Sequence, residues 1–159
     1  ADEILKMVNQ GQLTAAMVLA TKNESPLLEV LKDGLEEQKN PAKAMEAAGI
    51  AAISAMRRGL PALDTIITLS PLLGLLGTII GMIDSFKIMA IAGSSQPHAV
   101  TGGVAEALIA TATGITVAVI TLIPYNYFLA RVERETEQIE EFATRLELAL
   151  NQTPQELTK

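Results

Sequence analysis

Two apolar stretches constrain most strongly what this chain of 159 residues can become. One runs from Thr65 to Ile83 and the other from Ala107 to Ala130, each without an Asp, Glu, Lys, Arg or His. Each reaches the roughly 18–20 residues that carry a helix across a hydrocarbon layer about 30 Å thick. Neither reads as a plain anchor. Thr65, Thr68, Ser70 and Thr78 interrupt the first, and Thr111, Thr113, Thr116 and Thr121 the second. Small and hydroxyl-bearing side chains at membrane depth mark close helix contact or a polar path.

Composition points the same way. The chain is 49% hydrophobic with only 3% aromatic residues, whereas a soluble core of this size draws on more large rings. A net charge of −6 argues against a nucleic-acid partner. The absence of cysteine removes disulfides, thiol catalysis and thiolate metal sites. The single histidine, His98, leaves no histidine cluster within one chain, so no metal and no cofactor are expected. Asp2 and Glu3 precede a mixed polar and apolar stretch, so no signal peptide is expected.

Before the first span the chain reads as helix. Ile4, Leu5 and Val8, then Leu13, Met17 and Ala20, recur at helical spacing around a break at Gln10 and Gly11. A turn is expected at Asn23, Glu24 and Ser25, with Pro26 opening the next helix. Asn40 and Pro41 form another start, Asn as N-cap and Pro at the first helical position. Gly59, Leu60 and Pro61 then lead into the first span with little interruption. The expected organisation is a cytoplasmic helical segment over 1–60 and a transmembrane helix over 61–90. A loop on the outer side, which the resemblance below makes periplasmic, follows over 91–103, containing His98, then a second transmembrane helix over 104–130. A cytoplasmic C-terminal helix and tail complete the chain over 131–159. Val132, Ile139, Phe142, Leu146 and Ala149 keep an apolar stripe along that last helix. The fold class is therefore all-α, an integral membrane protein with two long transmembrane helices extending into a cytoplasmic helical domain. Arg57 and Arg58 precede the first span, Arg131 and Arg134 follow the second, and the joining region offers only Lys87. The positive-inside rule then places both ends of this chain in the cytoplasm.

Several residues stand out. Gly74, Gly77 and Gly81 clear one face of the first span, and Ala107, Thr111, Gly114 and Ala118 form a small face on the second. Such faces let another backbone approach and are expected here to pack subunits together. Thr78 lies near mid-depth, with Thr111 as its counterpart. A helical threonine ordinarily bonds its own i−4 carbonyl, yet eight hydroxyls over two spans can relay hydrogen bonds along a hydrated path. Glu106 is the one acid in the outer part of the second span. A carboxyl at membrane depth is a functional candidate, set against the alternative that it reaches outer water or pairs with Lys87. Asp84 and Lys87 are spaced to pair with each other. Pro71 and Pro124 read as tolerated kinks. No nucleophile–base pair, phosphate loop or metal spacing appears, so an enzyme is not expected. Two spans cannot enclose a path, but a ring of them can.

Two long motifs carry a resemblance. The run from Ser70 to Met82 (SPLLGLLGTIIGM), taken with that from Gly103 to Gly114 (GVAEALIATATG), resembles the paired signature of the MotA/TolQ/ExbB proton-channel family. The run from Ile123 to Asn126 and the cytoplasmic stretch with Pro26, Leu27, Gly34 and Leu35 are similar too. The resemblance implies a pentamer in the inner membrane, around the helices of a smaller ExbD- or TolR-like partner dimer. Each partner would have one span carrying an aspartate. It implies that proton flow at that interface drives the partner to act across the periplasm. Thr78 and Thr111 would face the pore near the aspartate, and Glu106 would be the acid of the last span. ExbB and TolQ members have a further transmembrane helix before the cytoplasmic segment that these residues do not include, as expected of a fragment, and Ile80 stands where many members have Trp. The cytoplasmic region, shorter than that of MotA, favours the ExbB/TolQ side. Two other readings remain: a non-conducting membrane scaffold for a single-span partner, and a soluble helical bundle with a very apolar core.

Overall fold

The computed structural model describes residues 1–22, 25–37, 39–92 and 97–152, with the backbone alone for 92, 97–100 and 152. The turn at Asn23 and Glu24, the residues from Gly93 to Gln96, the side chain of His98 and the tail from Thr153 lie outside that description. Among the described residues the chain forms six helices and no strand: α1 (Asp2–Asn9), α2 (Leu13–Thr21), α3 (Pro26–Glu36), α4 (Pro41–Arg57), α5 (Leu60–Ala92) and α6 (Pro97–Gln152). They fall into two compact units, residues 1–58 with 130–159, and residues 59–129.

The helix boundaries follow local chemistry. Gly11 takes a φ of 72°, and the amides of Gly11 and Gln12 donate to the carbonyls of Val8 and Met7. That is the Schellman arrangement, and it needs a residue at ease in the left-handed region. Pro26 and Pro41 open α3 and α4 behind Ser25 and Asn40. Asn40 holds the N-cap position but makes no side-chain cap bond, so the fixed φ of Pro41 sets the start. Gly59, at φ 97°, ends α4, and only Arg58 and Gly59 separate it from α5. Helix α6 continues without interruption from Pro97 to Gln152, about 84 Å at 1.5 Å per residue. It starts inside the region that composition assigned to the loop, and Gly103 lies within the helix where it packs against Ser85 of α5.

The first unit has an ordinary packed core. Ile4, Val8, Val30, Leu31 and Leu146 are at most 1% exposed. The stripe on α6 supplies Val132, Ile139, Leu146 and Ala149, all buried, with Phe142 partly so. The second unit is the reverse. The most apolar windows of its two long helices are only 6% and 11% buried. Leu73, Leu108, Ile109 and Ile123 are all more than 60% exposed. A soluble bundle would bury such side chains in its core, so the soluble reading fails for this unit. Both long helices are long and apolar enough to cross a membrane.

Candidate functional site

The site lies in the seam where α5 meets the first half of α6. On α5 the contact positions are Ser70, Gly74, Gly77, Thr78, Gly81 and Ser85, spaced by three and four along one face. Facing them on α6 are Gly103, Ala107, Ala110, Thr111 and Gly114. A methyl group on Gly74 would lie 2.9 Å from the Ala110 carbonyl oxygen. One on Gly77 or Gly81 would lie 2.8 Å from the Cβ of Ala110 or Ala107, and one on Gly114 would meet the Ser70 carbonyl. These four glycines therefore serve contact between the chain's own two helices. The sequence reading assigned that face to neighbouring subunits; within the chain, α6 already occupies it.

Thr78 and Thr111 meet across this seam, hydroxyl to hydroxyl. The Thr78 hydroxyl also lies 3.2 Å from the carbonyl oxygens of Gly74 and Ala107, and the Thr111 hydroxyl 3.2 Å from that of Gly74. Two hydroxyl protons thus share two carbonyls and each other's oxygen. Each hydroxyl therefore has a carbonyl acceptor within reach besides the other's oxygen. Turning one hydroxyl reverses the direction of donation without breaking the cluster. No charged side chain belongs to it.

The other six hydroxyls singled out in the sequence do not join in. Thr65, Thr68, Ser70, Thr113, Thr116 and Thr121 each donate to their own helix at i−4, at 2.7–2.9 Å. Among the described residues these hydroxyls form no continuous ladder, because local back-bonding satisfies them. Ser85 is a seam residue that the sequence reading missed. It is 1% exposed, donates to the Gly81 carbonyl at 2.8 Å, and occupies space left by Gly103. Its signal was present: a serine one turn beyond a glycine of the small face.

Glu106 is exposed on the chain and is not brought to the threonine pair. Five residues before Thr111, it projects about 140° away around the helix. Asp84 and Lys87 do pair, at 2.9 Å, in the C-terminal part of α5. Among the described residues Lys87 forms no ion pair with Glu106.

Residues 13–141 match the model of the MotA/TolQ/ExbB proton channel family. The chain belongs to that family. Among curated relatives, it is 34% identical over 92% of its length to an ExbB-like biopolymer transport protein of Synechocystis. It is 34% identical over 87% of its length to an ExbB homologue of Methanothermobacter thermautotrophicus, and 36% identical over 69% to the Tol-Pal system protein TolQ of Pseudomonas aeruginosa. The matches take in 73% of the first of these proteins but 46% and 48% of the other two. Both motifs of the seam fall inside the matched region.

Proposed function

We propose that this chain is the proton-channel subunit of an ExbB/TolQ-like inner-membrane motor, which uses the proton motive force to drive a partner acting across the periplasm. Five copies form a ring, both ends of each chain lie in the cytoplasm, and the ring encloses a dimer of ExbD/TolR-like single-span partners. The observation that carries the reading is the Thr78–Thr111 pair: two reorientable hydroxyls, bridging two helices, in a seam without charge. Such a pair hands on a proton's hydrogen bond but has no group of its own that titrates near neutrality. A carboxylate must come from elsewhere, and the partner's membrane aspartate supplies it. Glu106, outside the seam, is exposed toward whatever surrounds the chain in the assembly.

The test is reconstitution in liposomes under a pH gradient, with internal pH followed by a dye. The ring by itself should leak few protons, and adding the partner should open conduction. Thr78→Val and Thr111→Val keep the side-chain shape and remove the hydroxyl. Flux should fall sharply in both while partner binding and ring mass persist. Equal flux without the partner, or undiminished flux in both valine variants, would reject the shared pore, and no flux with or without the partner would leave the non-conducting scaffold as the better account.

A further inference from the structure

The helical unit of residues 1–58 and 130–159 carries an open groove of about 250 Å³ between α4 and α6. We propose that this groove docks the basic cytoplasmic segment next to the span of the single-span partner, an inference that rests on the functional reading above.

The groove has an apolar floor and an acidic rim. Met45, Gly49 and Ile53 of α4 and Ile139 of α6 line it from below. Gly49 matters for its depth: a methyl group there would already touch Ile139, at 3.4 Å. Glu46, Glu140 and Glu147 line its edge. Glu140 and Glu147 stand seven residues apart and so share one face of α6. None of the three forms an ion pair among the described residues, and no cationic side chain lines the groove. Lys43, one turn before Glu46, lies outside the lining. Ile50 flanks the opening and is 64% exposed.

Three unpaired carboxylates around an apolar slot call for an occupant with both cations and apolar side chains. The volume falls below the roughly 300–1,000 Å³ of small-molecule sites, which favours side chains of a peptide over a cofactor. A single-span protein of the inner membrane carries an excess of Lys and Arg on the cytoplasmic side of its span. That chemistry matches the rim. The reach is short as well. Glu140 and Glu147 lie about 15–25 Å along α6 beyond Ala130, at 1.5 Å per residue. An extended segment of about eight residues covers that distance.

The test uses the full chain co-expressed with its partner, with a photo-crosslinking residue in place of Ile50 or Thr144. Crosslinks should form to the partner and map to residues on the cytoplasmic side of its span. Glu46→Gln, Glu140→Gln and Glu147→Gln combined should lower crosslinking about tenfold, the summed effect of three exposed ion pairs. The same three changed to Lys should abolish it. Co-purification of the partner should survive both sets, because its span stays in the ring. Crosslinks solely to a second copy of this chain, or a yield indifferent to both charge sets, overturns the proposal while the functional reading stands. Failure of any single-span partner to co-purify overturns the functional reading and this inference with it.

Discussion

The seam between α5 and α6 predicts an asymmetry between two substitutions that look equivalent. Gly74→Ala and Gly77→Ala each add one methyl group to the same face of α5. At Gly74 the methyl meets backbone: the Ala110 carbonyl oxygen at 2.9 Å, the Thr111 Cα at 3.1 Å. Ordinary carbon–oxygen contacts sit at about 3.3–3.6 Å, so the helices must part by about 0.5 Å. That carries the 3.2 Å contacts of Thr78 with Ala107 and of Thr111 with Gly74 past hydrogen-bonding distance. At Gly77 the methyl meets only the Ala110 methyl, at 2.8 Å. Ala110→Gly therefore relieves Gly77→Ala and does nothing for Gly74→Ala. Both double variants exchange one Ala for one Gly, so helix propensity cancels in each. Overpacking costs about 1–3 kcal/mol. We expect Gly77→Ala/Ala110→Gly to stay within about 0.5 kcal/mol of the parent, and Gly74→Ala/Ala110→Gly to lose about 2 kcal/mol, roughly thirtyfold in the opening equilibrium. Ser85 offers the readout. The chain has no cysteine, and Ser85→Cys places one thiol in the closed seam. Its labelling rate by a membrane-permeant maleimide then reports seam opening. Equal rates in the two double variants would refute the packing described here.

Three further outcomes follow from the same geometry. Gly102 is exposed with nothing within 4 Å of an added Cβ, so Gly102→Cys should react with an impermeant thiol reagent from the periplasmic side, whereas Gln138→Cys should not. Labelling of Gln138→Cys in intact cells would reverse the proposed orientation. Glu106→Ala should impair energy coupling and leave assembly intact, as checked by partner-dependent proton flux beside the native mass of the complex; full flux would remove Glu106 from the pathway. Leu146 is fully buried, and Leu146→Ala should cost about 2–5 kcal/mol in the first unit, measured by thermal unfolding in detergent.

Apart from the start of α6, the sequence by itself determined the helices, and it determined the membrane character and the family. Those are properties of periodicity, length and local caps: the apolar runs, the prolines at 26 and 41, Gly11, and the heptad steps Val132, Ile139 and Leu146 can be read along a line. The two motifs that carry the family resemblance are also contiguous, and the match over residues 13–141 contains both. What the sequence could not separate was which hydroxyls matter. Eight lay in the two spans, and a helical hydroxyl looks the same whether it bonds its own backbone or a neighbour. The tertiary structure decided this by register. Pairing α5 with α6 sets Thr78 against Thr111, buries Ser85 beside Gly103, and leaves the other six hydroxyls to their own carbonyls. Register also assigned the glycine face to contact within the chain and turned Glu106 away from the threonine pair. Both outcomes depend on how two helices separated by many residues meet, and spacing along one helix carries no information about the phase of the other.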